Sequence, residues 1–160
     1  MVKNILVPYD GSKHAETALQ LAADLAARYD ASLHVMHVLL RGEVPKEIRE
    51  LSDVEGDREP PIAIGGGFVE ASLPKEVLQS IAENLLERAE KTAKEHGAEN
   101  VEATWHQGDA ARVILEQAQE KGADMIVMGS RGLSDLKGLL VGSVSHKIAH
   151  LFEGSVVTVK

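Results

Sequence analysis

Two unbroken apolar runs, Ile5–Val7 and Met125–Met128, constrain the fold more than any other feature of the chain. A strand with one wet face alternates apolar and polar residues. A short strand that is apolar throughout has helices over both faces, which is the condition of a parallel sheet. Three further runs complete the set, so the predicted strands are Asn4–Pro8, Ser32–Leu39, Val101–His106, Asp124–Met128 and Ser155–Val159. Of these, VEATWH at 101–106 alternates, as a less covered strand near an edge does.

Amphipathic stretches separate the strands. From Ser12 to Tyr29, Ala15, Ala18, Leu19, Ala22, Leu25, Ala26 and Tyr29 recur at three- and four-residue spacing behind Ser12 as N-cap. A second helix is predicted over 73–96, with Leu78, Ile81, Ala82, Leu85, Ala89 and Ala93 inward and Gly97 ending it. A third is capped by Asp109 and turns Ala111, Ile114, Leu115 and Ala118 inward before Gly122. A fourth starts at Gly142-Ser143, buries Val144, Ile148, Leu151 and Phe152, and stops at Gly154. Strand and helix therefore alternate through one α/β unit spanning residues 1–160, with a parallel sheet and helices on both faces.

The segment 41–72 breaks this rhythm. It holds eight acidic against four basic residues, three of the five prolines and the triple glycine Gly65–Gly67. It is predicted as a flexible acidic insertion between strand 2 and helix 2, with room for a short helix at 46–51. The whole chain carries a net charge of −8, which disfavours nucleic acid and anionic membrane surfaces as partners. Without cysteine there is neither disulfide nor thiolate chemistry. No signal-peptide pattern or membrane-length apolar run is present, so a soluble cytoplasmic protein is expected.

Open parallel sheets bind ligands beyond the carboxyl ends of their strands, where strand order reverses. Strand 1 ends in Pro8-Tyr9-Asp10-Gly11-Ser12; Asp10 there can serve the helix start or accept from a ligand hydroxyl. Strand 4 runs into Gly129 and Gly132, read as close ligand approach and a left-handed turn respectively. Gly142, Ser143 and Ser145 then open a helix whose free N–H groups suit an anion. The lysine of a Walker loop and the Gly-x-Gly-x-x-Gly of a dinucleotide fold are both missing from the expected places.

The spacing Gly129-x2-Gly132-x9-Gly142-Ser143 resembles the nucleotide signature of the universal stress protein family, in its ATP-binding branch. KNILVPYDGS, LHVMHVL, GADMIVMGSRG and SVVTVK carry the resemblance along nearly the whole chain. It implies a Rossmann-like, open, twisted five-stranded parallel sheet of order 3-2-1-4-5 with four helices. It also implies ATP, ADP or AMP as ligand. Pro8, Tyr9 and Asp10 would meet adenine and ribose, with Val38 at adenine through its backbone. Met128, Gly129, Arg131 and Gly132 would line the ribose and phosphate turn; Arg131 is equally readable as a solvated loop charge. Gly142, Ser143, Val144 and Ser145 would hold the phosphates, with Mg²⁺ or Mn²⁺ bound mainly through them. Similar proteins place an acidic residue after strand 2, where this chain has Leu39-Leu40-Arg41.

The resemblance further implies a homodimer, or a tetramer, through the apolar edge strand Ser155–Val159, and regulation of a protein partner. No catalytic set is predicted: Ser143 and His146 share a helix, but no carboxylate follows to orient the histidine. His146 and His150 lie one turn apart without a third metal ligand nearby. His34 and His37, at an odd offset, are expected on opposite faces of their strand. The competing readings are a nucleotide-independent dimeric interaction module regulating a transporter or kinase and, behind it, a nucleotidyl-transferring or ATP-hydrolysing enzyme.

Overall fold

The computed structural model describes residues 1–39, 75–132 and 142–160. The insertion 41–72, with its expected short helix and its triple glycine, lies outside the described residues, as do 133–141. The elements are β1 (Asn4–Pro8), α1 (Lys13–Tyr29), β2 (Ser32–Leu39), α2 (Lys75–Glu95), β3 (Val101–Gln107), α3 (Ala110–Glu120), β4 (Met125–Gly129), α4 (Ser143–Leu151) and β5 (Ser155–Val159). All five strands are parallel in one sheet of order β3-β2-β1-β4-β5, as expected. The alternating strand, β3, is indeed at an edge, and β5 forms the other.

The strands that read as uniformly apolar are the buried ones. Ile5, Leu6, Val7, Ile126 and Val127 are at most 1% exposed, because both of their faces are covered. On one face, Ile5, Val7, Leu33, Val35 and Val127 pack with α1 and α2. On the other, Leu6, Met36, Ile126 and Met128 pack with α3 and α4. Trp105 is half-buried against the first of these layers.

A chain so poor in aromatics fills its core by close approach rather than by bulk. Ala15, Ala18, Ala22, Ala23 and Ala26 form the buried side of α1, and Ala82, Ala89 and Ala93 that of α2. Alanine costs little helix propensity and lets a helix axis sit near the sheet. The caps follow the sequence: the Ser12 hydroxyl accepts from Ala15 N and the Asp109 carboxylate from Arg112 N. Gly97 ends α2 at φ +90°.

Two helices depart from expectation in their last turn: Tyr29, counted in the apolar stripe of α1, is 50% exposed at its end. Leu151, expected inside, is 57% exposed. α4 has only nine residues and lies over the sheet edge, so its last turn has little sheet beneath it. In α3, Val113 is buried while Leu115 is only half-buried.

At the amino-terminal edge, the Asp124 carboxylate accepts from Lys3 N at 2.7 Å and Asn4 N at 3.0 Å, tying β1 to β4. Those bonds hold its pKa below the ordinary carboxylate value. Enlarging the alanine seam tests the packing: Ala22→Leu is expected to destabilise by about 1–3 kcal/mol through overpacking. Urea denaturation should show a lower midpoint with an unchanged m-value.

Candidate functional site

From β1 the sheet is built outward in both directions, through β2 to β3 on one side and through β4 to β5 on the other, so the switch point lies between β1 and β4. The sheet opens there. β1 pairs with β2 as far as Pro8–Met36, but its register with β4 covers only Ile5–Met125 and Leu6–Ile126. Beyond those pairs the two strands form a fork at the carboxyl edge, and the chain beyond each tine supplies the candidate residues.

The β1 tine is tightly held. Tyr9 N donates to Met36 O at 2.8 Å, and the Tyr9 carbonyl lies 2.8 Å from His37 Nδ1. The Tyr9 hydroxyl donates to Glu16 Oε2 at 2.6 Å. Burial, and then that carboxylate, raise the phenol pKa far above its ordinary value, so it stays a donor. Asp10 follows, its Oδ1 accepting from Ser12 N at 3.0 Å across the left-handed Gly11 (φ +79°). The helix-start role and a ligand-facing position are thus compatible in one carboxylate.

The β4 tine brings the motif glycines to the same edge, with different reasons for two of them. A Cβ at Gly129 would lie 2.9 Å from His14 Cβ and 3.0 Å from both Ala15 N and Arg131 O. The start of α1, not an open ligand space, occupies the place of that missing side chain. Gly132 is not in the left-handed region expected of it; a Cβ there would meet Asp10 Oδ2 at 2.6 Å. Gly132 is therefore bare because Asp10 lies against it. That contact also brings the two tines together.

Ser130, between these glycines, is the residue the sequence reading missed. It is 1% exposed. Its N–H donates to Val159 O, and its carbonyl accepts from Gly142 N, both at 2.7 Å. The Ser145 hydroxyl lies 3.0 Å from the carbonyls of both Ser130 and Gly142. A serine flanked by glycine and arginine reads as solvated loop; only its place at a strand end hinted otherwise.

These bonds fix the start of α4. Gly142 caps it without a side-chain hydrogen bond, and no acidic residue stands in its first turn. Among the described helices α4 is alone in this: α1 has Ser12 and Glu16, α2 has Glu76, and α3 has Asp109. Neither a capping side chain nor a first-turn acid offsets its positive end, which favours an anion. Ser143 is exposed and Val144 half-buried, while Met128 and Ser145 are buried and can offer a ligand only backbone. Arg131 is partly exposed beside Gly132, and Val38 is partly exposed at the end of β2. Pro8, half-buried, closes β1.

The histidines of β2 do diverge. His37 is buried at 4% exposure, whereas His34 reaches the opposite face and pairs with Glu102, which also takes Lys121. His146 and His150 are exposed on α4. Among the described residues no group of three His, Cys, Asp or Glu side chains could hold a metal ion, and no helix is long and apolar enough to cross a membrane.

Fold and fork together define a parallel α/β protein whose sheet opens at its switch point beside a helix start that no side chain caps. The profile of the universal stress protein family matches residues 1–64 and 57–160. The chain belongs to the universal stress protein family. Universal stress protein YxiE of Bacillus subtilis is 34% identical over 163 residues, covering 100% of each chain. Universal stress protein UspA from Lactobacillus plantarum superposes over 99% of this chain and 98% of its own, with a TM-score of 0.74 at 20% identity. The universal stress protein from Archaeoglobus fulgidus in complex with dAMP covers 100% of both chains, with a TM-score of 0.60 at 21% identity.

Burial lowers the pKa of His37 below the ordinary histidine value of 6.5, against opposing pulls from the Tyr9 carbonyl and the Asp10 charge. The unfolded chain therefore takes up a proton there that the folded chain resists. Stability contributed by neutral His37 is full above about pH 6.5 and declines below it. Urea midpoints measured from about pH 7.5 to about pH 5.5 should fall more for the wild type than for His37→Asn, which does not titrate in this range.

Proposed function

We propose that the fork binds an adenine nucleotide and that its occupancy switches the protein's affinity for a partner in a stress response. The observation that carries this reading is the single edge shared by Asp10, Gly132 and the start of α4, which has no first-turn acid and no capping side chain. Asp10 can accept from ribose hydroxyls, with Pro8, Tyr9 and the backbone of Val38 beside adenine. Met128, Gly129, Arg131 and Gly132 then border the ribose and first phosphate, the glycines acting through main-chain position. The N–H groups of Ser143, Val144 and Ser145, with Gly142 ahead of them, suit the terminal phosphates. ATP fills such a span most completely, with ADP and AMP as shorter occupants. Mg²⁺ or Mn²⁺ would be held mainly by the phosphates.

The dAMP complex of the Archaeoglobus fulgidus protein supports the reading to the extent that a protein of this fold takes an adenine nucleotide. A nucleotide switches shape only by binding two conformations unequally. The edge strand β5 supplies a self-complementary surface for a homodimer or tetramer, and the expected setting is the cytoplasm. We assign no evolved catalysis to the fork.

A second reading, a nucleotide-independent interaction module, draws on one observation. The spaces beside Gly129 and Gly132 are taken by the protein's own atoms, so packing alone explains two of the three motif glycines.

Gly132→Ala separates the two. Its Cβ displaces the movable end of Asp10 rather than backbone, so the fold should survive. ATP should raise the unfolding midpoint of the wild type, and the variant should bind ATP about tenfold more weakly. Nucleotide released on denaturing the purified protein would identify the natural occupant. A wild type that neither carries nucleotide nor shifts with ATP would overturn the first reading in favour of the second.

A further inference from the structure

We propose that His37 is the positioning residue of the fork: its ring holds the Tyr9 carbonyl and thereby sets the direction in which Asp10 leaves β1. The consequence for ligand affinity rests on the nucleotide reading above; the effect on Asp10 does not.

Two consecutive residues of β2 grip one residue of the β1 tine. Met36 O accepts from Tyr9 N, which is an ordinary continuation of the parallel ladder. His37 Nδ1, 2.8 Å from Tyr9 O, does what no ladder bond does at this point. A carbonyl only accepts, so Nδ1 must carry the hydrogen, and the tautomer follows from its partner. With the carbonyl fixed, the Tyr9–Asp10 peptide plane is fixed, since that plane contains both the carbonyl and the next N–H. The phenol clamp at Glu16 stops the residue from rotating about its own strand. Asp10 then has one way to go: over Gly132, with Oδ1 returning to Ser12 N.

At the turn itself, by contrast, Gly11 adds backbone freedom, so β1 alone does not specify where the carboxylate points. The ring of His37 is 4% exposed and lies one residue before Val38, so it belongs to the wall of the fork rather than to its ligand surface. It acts on a ligand only through Asp10.

Asparagine and glutamine distinguish this role from burial of a polar ring. The side-chain nitrogen of His37→Asn stands where Nδ1 does, and can still donate to Tyr9 O. His37→Gln carries its amide one carbon too far, and His37→Leu has no donor. The Ser12 amide, bonded to Asp10 Oδ1, is a direct reporter. Its hydrogen exchange should quicken about tenfold in His37→Gln and His37→Leu and by less than about threefold in His37→Asn. The core amides of Ala22 and Val127 serve as internal references and should keep their rates. ATP affinity, by calorimetry on the full chain, should fall about tenfold in the first two variants and be retained in the third.

If His37→Asn behaves as His37→Leu does, or if neither variant alters the Ser12 amide, the positioning role is wrong. Should His37→Leu fail to fold, the Asn and Gln pair decides the matter. A wild type that binds no ATP while the Ser12 pattern holds would overturn the nucleotide reading and leave the positioning role standing.

Discussion

The approach of α1 to the end of β4 is the contact on which the carboxyl edge depends. At Gly129 a side chain would collide with His14 Cβ and with the main chain of Ala15 and Arg131. Because none is there, the first turn of α1 rests directly on the strand. The Ser12 cap, the Gly11 turn and Asp10 are carried with it, and the carboxylate arrives over Gly132. The alanine seam of α1 extends the same principle along the helix, where closeness substitutes for the aromatic bulk this chain lacks.

A sheet that parts at its switch point needs other ties to keep β1 and β4 in register. Two ladder pairs join them directly. Asp124 reinforces the pair from the opposite edge by accepting from two successive backbone amides, Lys3 just before β1 and Asn4 at its start. The fork therefore opens at one end because the other is closed by a charged clamp. Charge is distributed with similar economy. The chain is acidic overall, yet α4 begins without an acid or a capping side chain. The local field at a helix start, set within one turn, is independent of the net charge.

Much of this architecture was legible because the relevant physics is local or periodic. Uninterrupted apolar runs announced strands covered on both faces, and Ser12 and Asp109 announced helix starts that the bonds bear out. The alternation of β3 placed it at an edge. What could not be read concerns space between distant segments. A glycine in a sequence shows that a side chain is missing, not what stands in its place. Gly129 thus read as ligand clearance when α1 fills it, and Gly132 as a left-handed turn when Asp10 occupies its side. Leu151 fitted the apolar stripe of α4, but a stripe does not reveal where the underlying sheet stops. Ser130 escaped notice, and His37 was read only for the face it takes, for a related reason: their partners are backbone atoms of other strands and loops, which leave no mark on side-chain patterning.

The bonding of Ser130 has a mechanical corollary. Through its two peptide groups this one residue is fastened to the far end of β5 on one side and to the opening of α4 on the other. The edge strand and the helix start are thus hinged on a common pin. Strain applied to either is delivered to the other across a single residue, with no mobile side chain between them to absorb it.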